Sequence, residues 1–375
     1  MVDTVLVRTH FIAYDSRLNK IFKSLSKKYS VLVFGWNRED RVTKKMKGDN
    51  TMNTRYFNFK APYGKQRLIS YAYMLTYFSL FWTWVFVNLA ILRPKVVHAF
   101  DLDTVLPCYI YKKLFRKKLV FEVVDRYAMN SIPPRFKLTY SLVNYLEEFF
   151  SSRADLLITI GEKMLDTFHN KPRESLVILN CPEDRSSINK KNLVDNNPVF
   201  RVIYTDRVIS RIRGVKEMAA SIEGLGNVEL IIVGLFIDKE LENHTTKVPA
   251  VKYRGILKPP EALNLEASSD CMIALYDPKN PQTNVCTPTK FFEAMMCGIA
   301  LITNIRPDLV IEIGFGIIVE YGNIDQIRSA IIRLRDDPEL RKRLGSNGRK
   351  AFLEKYNWGI MEKKLYDAYE NLFKH

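Results

Sequence analysis

A chain of 375 residues with 47% hydrophobic and 26% charged side chains has the make-up of an ordinary folded soluble protein, and its length favours two domains over a single core. Its five cysteines (Cys108, Cys181, Cys271, Cys286, Cys297) show no C-x-x-C and no metal spacing, which argues against a disulfide scaffold or a zinc site and for reduced thiols in a cytosolic compartment. The net charge of +16 is uneven: residues 1–180 hold 29 Lys/Arg and 15 Asp/Glu (+14), residues 181–375 hold 28 and 26 (+2). A basic half of this kind suits nucleic acid, an anionic membrane or a phosphorylated substrate.

MVDTVLVRTHF has no basic start followed by a long apolar run, so no cleaved signal is expected. Thr4–Val7 predicts a strand, Leu18, Phe22 and Leu25 a helix, and Val31–Phe34 a second strand, together a βαβ unit. Residues 37–67 are polar and basic, with Lys44, Lys45 and Lys47 together, and predict a long loop and an edge strand near 55–59. Residues 68–92 then carry no charge over 25 positions. A helix of that length is about 37 Å long, enough to span a bilayer. Spanning is disfavoured, because the next strand, 95–99, would sit across the membrane from its partners. Two readings stay open, a core helix and a helix whose aromatic face dips into the membrane interface. Trp and Tyr in a basic half favour the second.

After that strand comes His98-Ala-Phe-Asp101-Leu-Asp103. A D-x-D after a strand can hold a divalent metal, though so short a motif is weak. Five cations in 112–118 suit the end of a helix. Residues 119–124 predict a strand with Asp125 just past its C-terminal end, where ligands of open α/β sheets bind. A helix at 140–152 and a strand at 155–160 complete the first domain, 1–180. The polar, unpatterned stretch 181–199 is the expected linker.

The second domain, 200–355, opens with a strand at 200–205, followed by Arg207, Arg213-Gly214 and a helix over 215–222. Free N–H groups at a helix start and nearby arginines suit a phosphate. Gly255-Ile256-Leu257 precedes Pro259-Pro260, a helix start. The most informative stretch is TPTKFFEAMMCGIALITN, 287–304. Pro288 opens a helix, Phe291, Phe292, Met295 and Met296 share its spacing, Gly298 stops it, and a buried strand follows. Lys290 and Glu293 lie on one helical face. Two helices near 323–335 and 337–354 and an amphipathic helix within 356–375 end the chain.

The pattern P-x-K-x-x-E-A-M-x-x-G before an apolar strand resembles the donor segment of family 4 glycosyltransferases. YDSRLNK…SVLVFGWNRE resembles the first βαβ unit of the same family. The resemblance implies an α/β fold with two Rossmann-like domains facing a central cleft (the GT-B arrangement), with the last helix packing back on the first domain. It implies retaining, metal-independent glycosyl transfer from a nucleotide sugar, UDP- or GDP-linked, with no cofactor. Glu293 would bind the ribose, with Thr289 and Lys290 beside it. Arg207, Arg213 and Gly214 would hold the diphosphate, and Ile256 and Leu257 the base. Arg17, His98 and Asp101 fall on the acceptor side, and Asp125, Arg207 and Arg213 are the catalytic candidates. The sequence departs from the family at Val285, which replaces a sugar-contacting Glu, at Asp206, where relatives have Gly, at Val124 and at Phe100. These departures keep open a nucleotide-sugar epimerase of the same fold or a degenerate binding protein. The basic, aromatic first domain suggests a lipid-linked or polysaccharide acceptor and a peripheral position on the cytoplasmic face of an anionic membrane. No recognition motif supports nucleic acid.

Overall fold

The computed structural model describes residues 2–9, 12, 15–37, 52–59, 67–130, 132, 136–185 and 199–374. Lys44, Lys45, Lys47 and most of the expected linker (186–198) lie outside them. The chain forms two compact units, Met1–Leu179 with Glu362–His375, and Asn180–Met361.

The first unit runs β1 (Thr4–Arg8), α1 (Ser16–Ser26), β2 (Val31–Trp36), β3 (Thr54–Phe57), α2 (Arg67–Leu92), β4 (Val96–Phe100), α3 (Leu102–Phe115), β5 (Lys118–Val123), α4 (Tyr127–Asn130), α5 (Lys137–Ser151), β6 (Leu156–Thr159), α6 (Glu162–Asp166) and β7 (Glu174–Val177). The strands are short apolar runs because helices cover both faces of the sheet. All pair in parallel, in the order β3-β2-β1-β4-β5-β6-β7. The order reverses between β1 and β4.

Helix α2 packs one side against the sheet. Phe81 stacks on Trp36 at 5.1 Å and Trp84 lies 5.2 Å from Phe34, while Tyr77, Phe78, Trp82, Trp84 and Phe86 are half-buried. Phe81, Val85 and Leu89, four residues apart, are fully buried. This side of the helix belongs to the core. Among the described residues, no helix is long and apolar enough to cross a membrane.

The second unit runs β8 (Phe200–Ile209), α7 (Val215–Ile222), β9 (Val228–Phe236), α8 (Lys239–Thr246), β10 (Val251–Tyr253), α9 (Pro259–Ala267), β11 (Cys271–Ala274), α10 (Thr289–Cys297), β12 (Ala300–Thr303), α11 (Pro307–Ile313), β13 (Gly316–Ile318), α12 (Ile324–Asp336) and α13 (Pro338–Glu354). Its strands also pair in parallel, in the order β10-β9-β8-β11-β12-β13, reversing between β8 and β11. Helix α10 begins after Pro288 and stops at Gly298, which takes a left-handed φ of 64°, as its sequence predicts. The last helix, α14 (Trp358–Lys374), belongs from Glu362 onward to the first unit.

Candidate functional site

In an open parallel sheet, ligands bind beyond the strand C-termini where the strand order reverses. Each unit has one such point, and polar residues gather at both.

In the second unit, β8 carries a bulge. Thr205 pairs with Val233 and Val208 with Leu235, so Asp206 and Arg207 together oppose Gly234. A bulge of this kind re-aims side chains at a strand end. Gly234 has φ 142°, and a Cβ there would stand 2.2 Å from the Asp206 carbonyl oxygen. Only glycine fits. The bulge turns Asp206 toward its neighbours: the Tyr204 hydroxyl donates to Asp206 Oδ2 at 3.0 Å, and Arg213 Nε lies 3.3 Å from the same oxygen. Arg213 also sits over the Tyr276 ring, 4.8 Å from its centre. The sequence left Asp206 without a rationale. The structure sets its carboxylate against Arg213.

Helix α10 brings Lys290 and Glu293 to the same strand ends. Lys290 Nζ lies 3.8 Å from Glu293 Oε2; the Lys290 side chain is nearly buried and that of Glu293 partly exposed. Burial opposes the Lys290 charge, but Glu293, Asp206 and Tyr276 outweigh it and raise its pKa. Burial likewise opposes the Arg213 charge, and Asp206, Tyr276 and Tyr204 outweigh that. Arg213 and Lys290 thus act on the same two groups, Asp206 and Tyr276. Glu266, at the end of α9, is almost fully buried and accepts from Thr205 Oγ1 at 2.7 Å. Burial first, then the charge of Glu293, pushes its carboxyl up to about 8.

The remaining donor-side candidates spread along the same edge. Arg207 is exposed, and its backbone N–H donates to Asp206 Oδ1 at 2.8 Å. Gly214 caps α7 with φ 63°. Ile256 is exposed and Leu257 half-buried, just after Gly255, whose carbonyl accepts from Gly234 N–H at 2.8 Å. Thr289 is half-buried at the first residue of α10. Tyr204, Tyr276 and Glu266 escaped the sequence reading because none belongs to a motif; the only signal for Glu266 was an acid in an otherwise apolar helix end.

In the first unit, Arg8 at the end of β1 pairs with Asp15 at 2.8 Å and with Asp101. Burial opposes its charge, and Asp101, Asp15 and Asp103 outweigh it. Asp101 Oδ1 accepts the backbone N–H of Val124 and of Asp125, at 2.8 and 3.2 Å, and Thr9 donates to Asp103. Asp101 is buried and holds a left-handed φ of 59°. It ties the β4 end to the β5 end rather than facing an acceptor. Among the described residues, no group of three or more His, Cys, Asp and Glu could hold a metal. Asp125 is half-buried just past β5.

Arg17 and His98 also depart from the acceptor-side expectation. Both are buried around Glu122: Arg17 Nε bonds Glu122 Oε1 at 2.7 Å, and His98 Nε2 lies 2.9 Å from Oε2. The acceptor-only carboxylate assigns the proton to Nε2, so Nδ1 accepts from the Tyr369 hydroxyl at 2.7 Å. Burial alone would raise the Glu122 carboxyl, but Arg17 and His98 outweigh it and hold it down at about 2. Arg17 and His98 thus share one buried carboxylate, and Arg17 Nη1 also donates to the Leu179 carbonyl at 3.0 Å.

Residues 213–361 match the family described as glycosyl transferase-like. Structures that cover the chain end to end include sucrose-phosphate synthase from Thermosynechococcus elongatus (TM-score 0.76, 14% identity, 100% of both chains). Anabaena HepE in complex with UDP and glucose superposes at 0.70 with 15% identity, over 99% of this chain and 100% of that one. This is the GT-B fold. The family match contains Arg213, Glu266, Lys290 and Glu293. A curated relative, the GDP-mannose-dependent monoacylated alpha-(1-6)-phosphatidylinositol monomannoside mannosyltransferase of Corynebacterium glutamicum, is 28% identical over 195 residues, 49% of this chain. The chain matches about half the length of that relative (50%).

Proposed function

We propose that this protein is a retaining glycosyltransferase that moves a sugar from a nucleotide sugar to a lipid-linked or polysaccharide acceptor at a membrane surface. The observation that carries the reading is the cluster at the strand reversal of the second unit. Two cations, Arg213 and Lys290, are held charged there beside Glu293. A carboxylate accepts a pair of ribose hydroxyls, and the cations stabilise the charge that develops on the leaving diphosphate. Exposed Arg207 adds to that charge on donor binding. These side chains supply the positive charge, so the reaction as proposed uses no metal or other cofactor. In the first unit, Asp125 is the acceptor-side candidate for general-base work.

The curated relative's name couples a GDP-sugar donor to a lipid acceptor, whereas the HepE structure was solved with UDP. GDP-mannose and UDP-glucose are therefore the first donors to test. A peripheral position on the cytoplasmic membrane face goes with the lipid acceptor.

The test is calorimetric titration of GDP, UDP, ADP and CMP into wild type and Glu293→Ala. One nucleotide should bind wild type, and Glu293→Ala should weaken it about 10- to 100-fold, the worth of one or two hydrogen bonds to a charged group. Equal affinity in the two proteins would remove Glu293 from the donor site. Incubation with donor alone, followed by product analysis, separates transfer from epimerisation.

A further inference from the structure

The outer face of α2, α3 and α5 has a composition that a solvent-facing layer of helices does not need. These helices lie side by side, α2 against α3 and α3 against α5. On α5, Leu138, Leu142 and Tyr145 fall at i, i+4 and i+7 and all point outward, Leu138 being 89% exposed. Ile110 and Leu114 do the same on α3, and Ile91 on α2. Aromatic rings join the stripes: Tyr145 lies 6.2 Å from Phe149, which lies 5.8 Å from Tyr109.

The charges on this part of the chain have one sign. Among the described residues from 76 to 155, every exposed charged side chain is a cation: Arg93, Lys95, Lys113, Arg116, Lys137 and Arg153. The acids are buried or half-buried. Asp103 accepts from Thr9, Asp155 pairs with Lys112 at 2.8 Å, and Glu147 and Glu148 face Arg126. Several cations are held against the rings, Arg153 over Phe149 at 3.8 Å, Lys113 over Tyr109 at 5.8 Å and Arg93 over Phe115 at 5.7 Å.

We propose that this three-helix face is a docking surface for an anionic lipid bilayer, with the apolar stripes entering the headgroup boundary and the cations meeting lipid phosphates. Long basic side chains whose stems lie on aromatic rings suit that boundary. A large exposed apolar patch marks an interaction site. A second copy of this chain is a poor occupant, since a two-fold contact would set this cationic face against itself. The inference deepens the membrane-surface reading above and rests on it for the nature of the acceptor. The donor site plays no part in it.

The test is cosedimentation of the full chain with vesicles of phosphatidylcholine alone and of equal parts phosphatidylcholine and phosphatidylglycerol. Wild type should pellet with the second and weaken as salt rises. Leu138→Ser with Leu142→Ser changes only exposed side chains and should cut the partition coefficient about 10-fold or more. Lys113→Glu with Lys137→Glu should cut it and flatten the salt dependence. Ile311→Ser, an exposed position in the second unit, should pellet as wild type. The proposal is overturned if wild type stays in solution with anionic vesicles, or if the leucine variant pellets unchanged. It is also overturned if the leucine variant instead dissolves a lipid-free self-association seen by light scattering. Glu293→Ala should bind vesicles as wild type does; if no nucleotide binds while vesicles do, the donor reading fails and this one stands.

Discussion

Glu266 shows how a single carboxyl can link the cluster at the second strand reversal to pH. Its folded value of about 8 lies above the ordinary 4.5. The folded state therefore holds a proton that the unfolded state releases, and stability falls as pH rises between those values. The contribution is fully present below 4.5 and lost once pH passes about 8. Glu266→Gln keeps an acceptor for Thr205 but cannot ionise. The variant should melt above wild type at pH 9 and with it at pH 4, as read by thermal unfolding across the range. Identical pH profiles would mean that Glu266 does not carry the proton. The neighbouring Glu293 answers a different question, because its partly exposed carboxylate is open to a ligand. Its alanine variant should lose nucleotide affinity with little loss of stability, the reverse of a buried structural acid. The contrast also explains what the sequence could show: Glu293 sits in a spaced motif, whereas Glu266 matters through burial, which no spacing reports.

At the level of elements, the β8 bulge is the device that turns Asp206 toward Arg213 at the strand reversal. It needs Gly234 opposite, and the Asp206 carbonyl leaves no room for a Cβ. Gly234→Ala should cost about 2 kcal/mol or more, from an unfavourable φ and a backbone clash. It should also weaken nucleotide binding, because Asp206 positions Arg213. Urea unfolding and calorimetry on one preparation check both effects; a variant with normal stability and affinity would show that the bulge is not needed. Regular elements were legible in the sequence. Pro288 and Gly298 bracket α10, and the short apolar runs become parallel strands. The bulge was not, because it is a property of pairing between β8 and β9, and Asp206 consequently looked out of place. The aromatic run of α2 was ambiguous for a related reason: composition gives the ring content of a helix but not which side faces the sheet. Arg17, His98 and Asp101 occupy motif positions, yet the fold closes them into internal pairs, and exposure cannot be read from a motif.

Across the whole chain, the C-terminal end completes the core of the N-terminal half. From Glu362 onward, α14 packs on α1 and the sheet of the first unit: Phe373 stacks on Tyr29 at 4.6 Å, Tyr366 donates to the Ser24 carbonyl at 2.9 Å, and Lys27 meets Glu362 at 2.8 Å. The exposed ion pairs add little. The decisive contact is Tyr369, fully buried, whose hydroxyl reaches His98 and through it the Glu122–Arg17 pair. Two substitutions separate its contributions. Tyr369→Phe removes only the hydroxyl and leaves the His98 nitrogen without its donor, which should cost about 1–3 kcal/mol. Tyr369→Ala also empties a ring-sized volume and should cost about 3–5 kcal/mol. Because the network holds Glu122 ionised down to about 2, its stabilisation is fully present above the ordinary 4.5 and fades as pH falls from 4.5 to about 2. The Tyr369→Phe penalty should therefore be measured near neutral pH, by urea unfolding followed through tryptophan fluorescence, which Trp36, Trp82 and Trp84 of the first unit report. Wild-type stability in Tyr369→Ala would show that the Tyr369 ring is not needed to hold the returning helix.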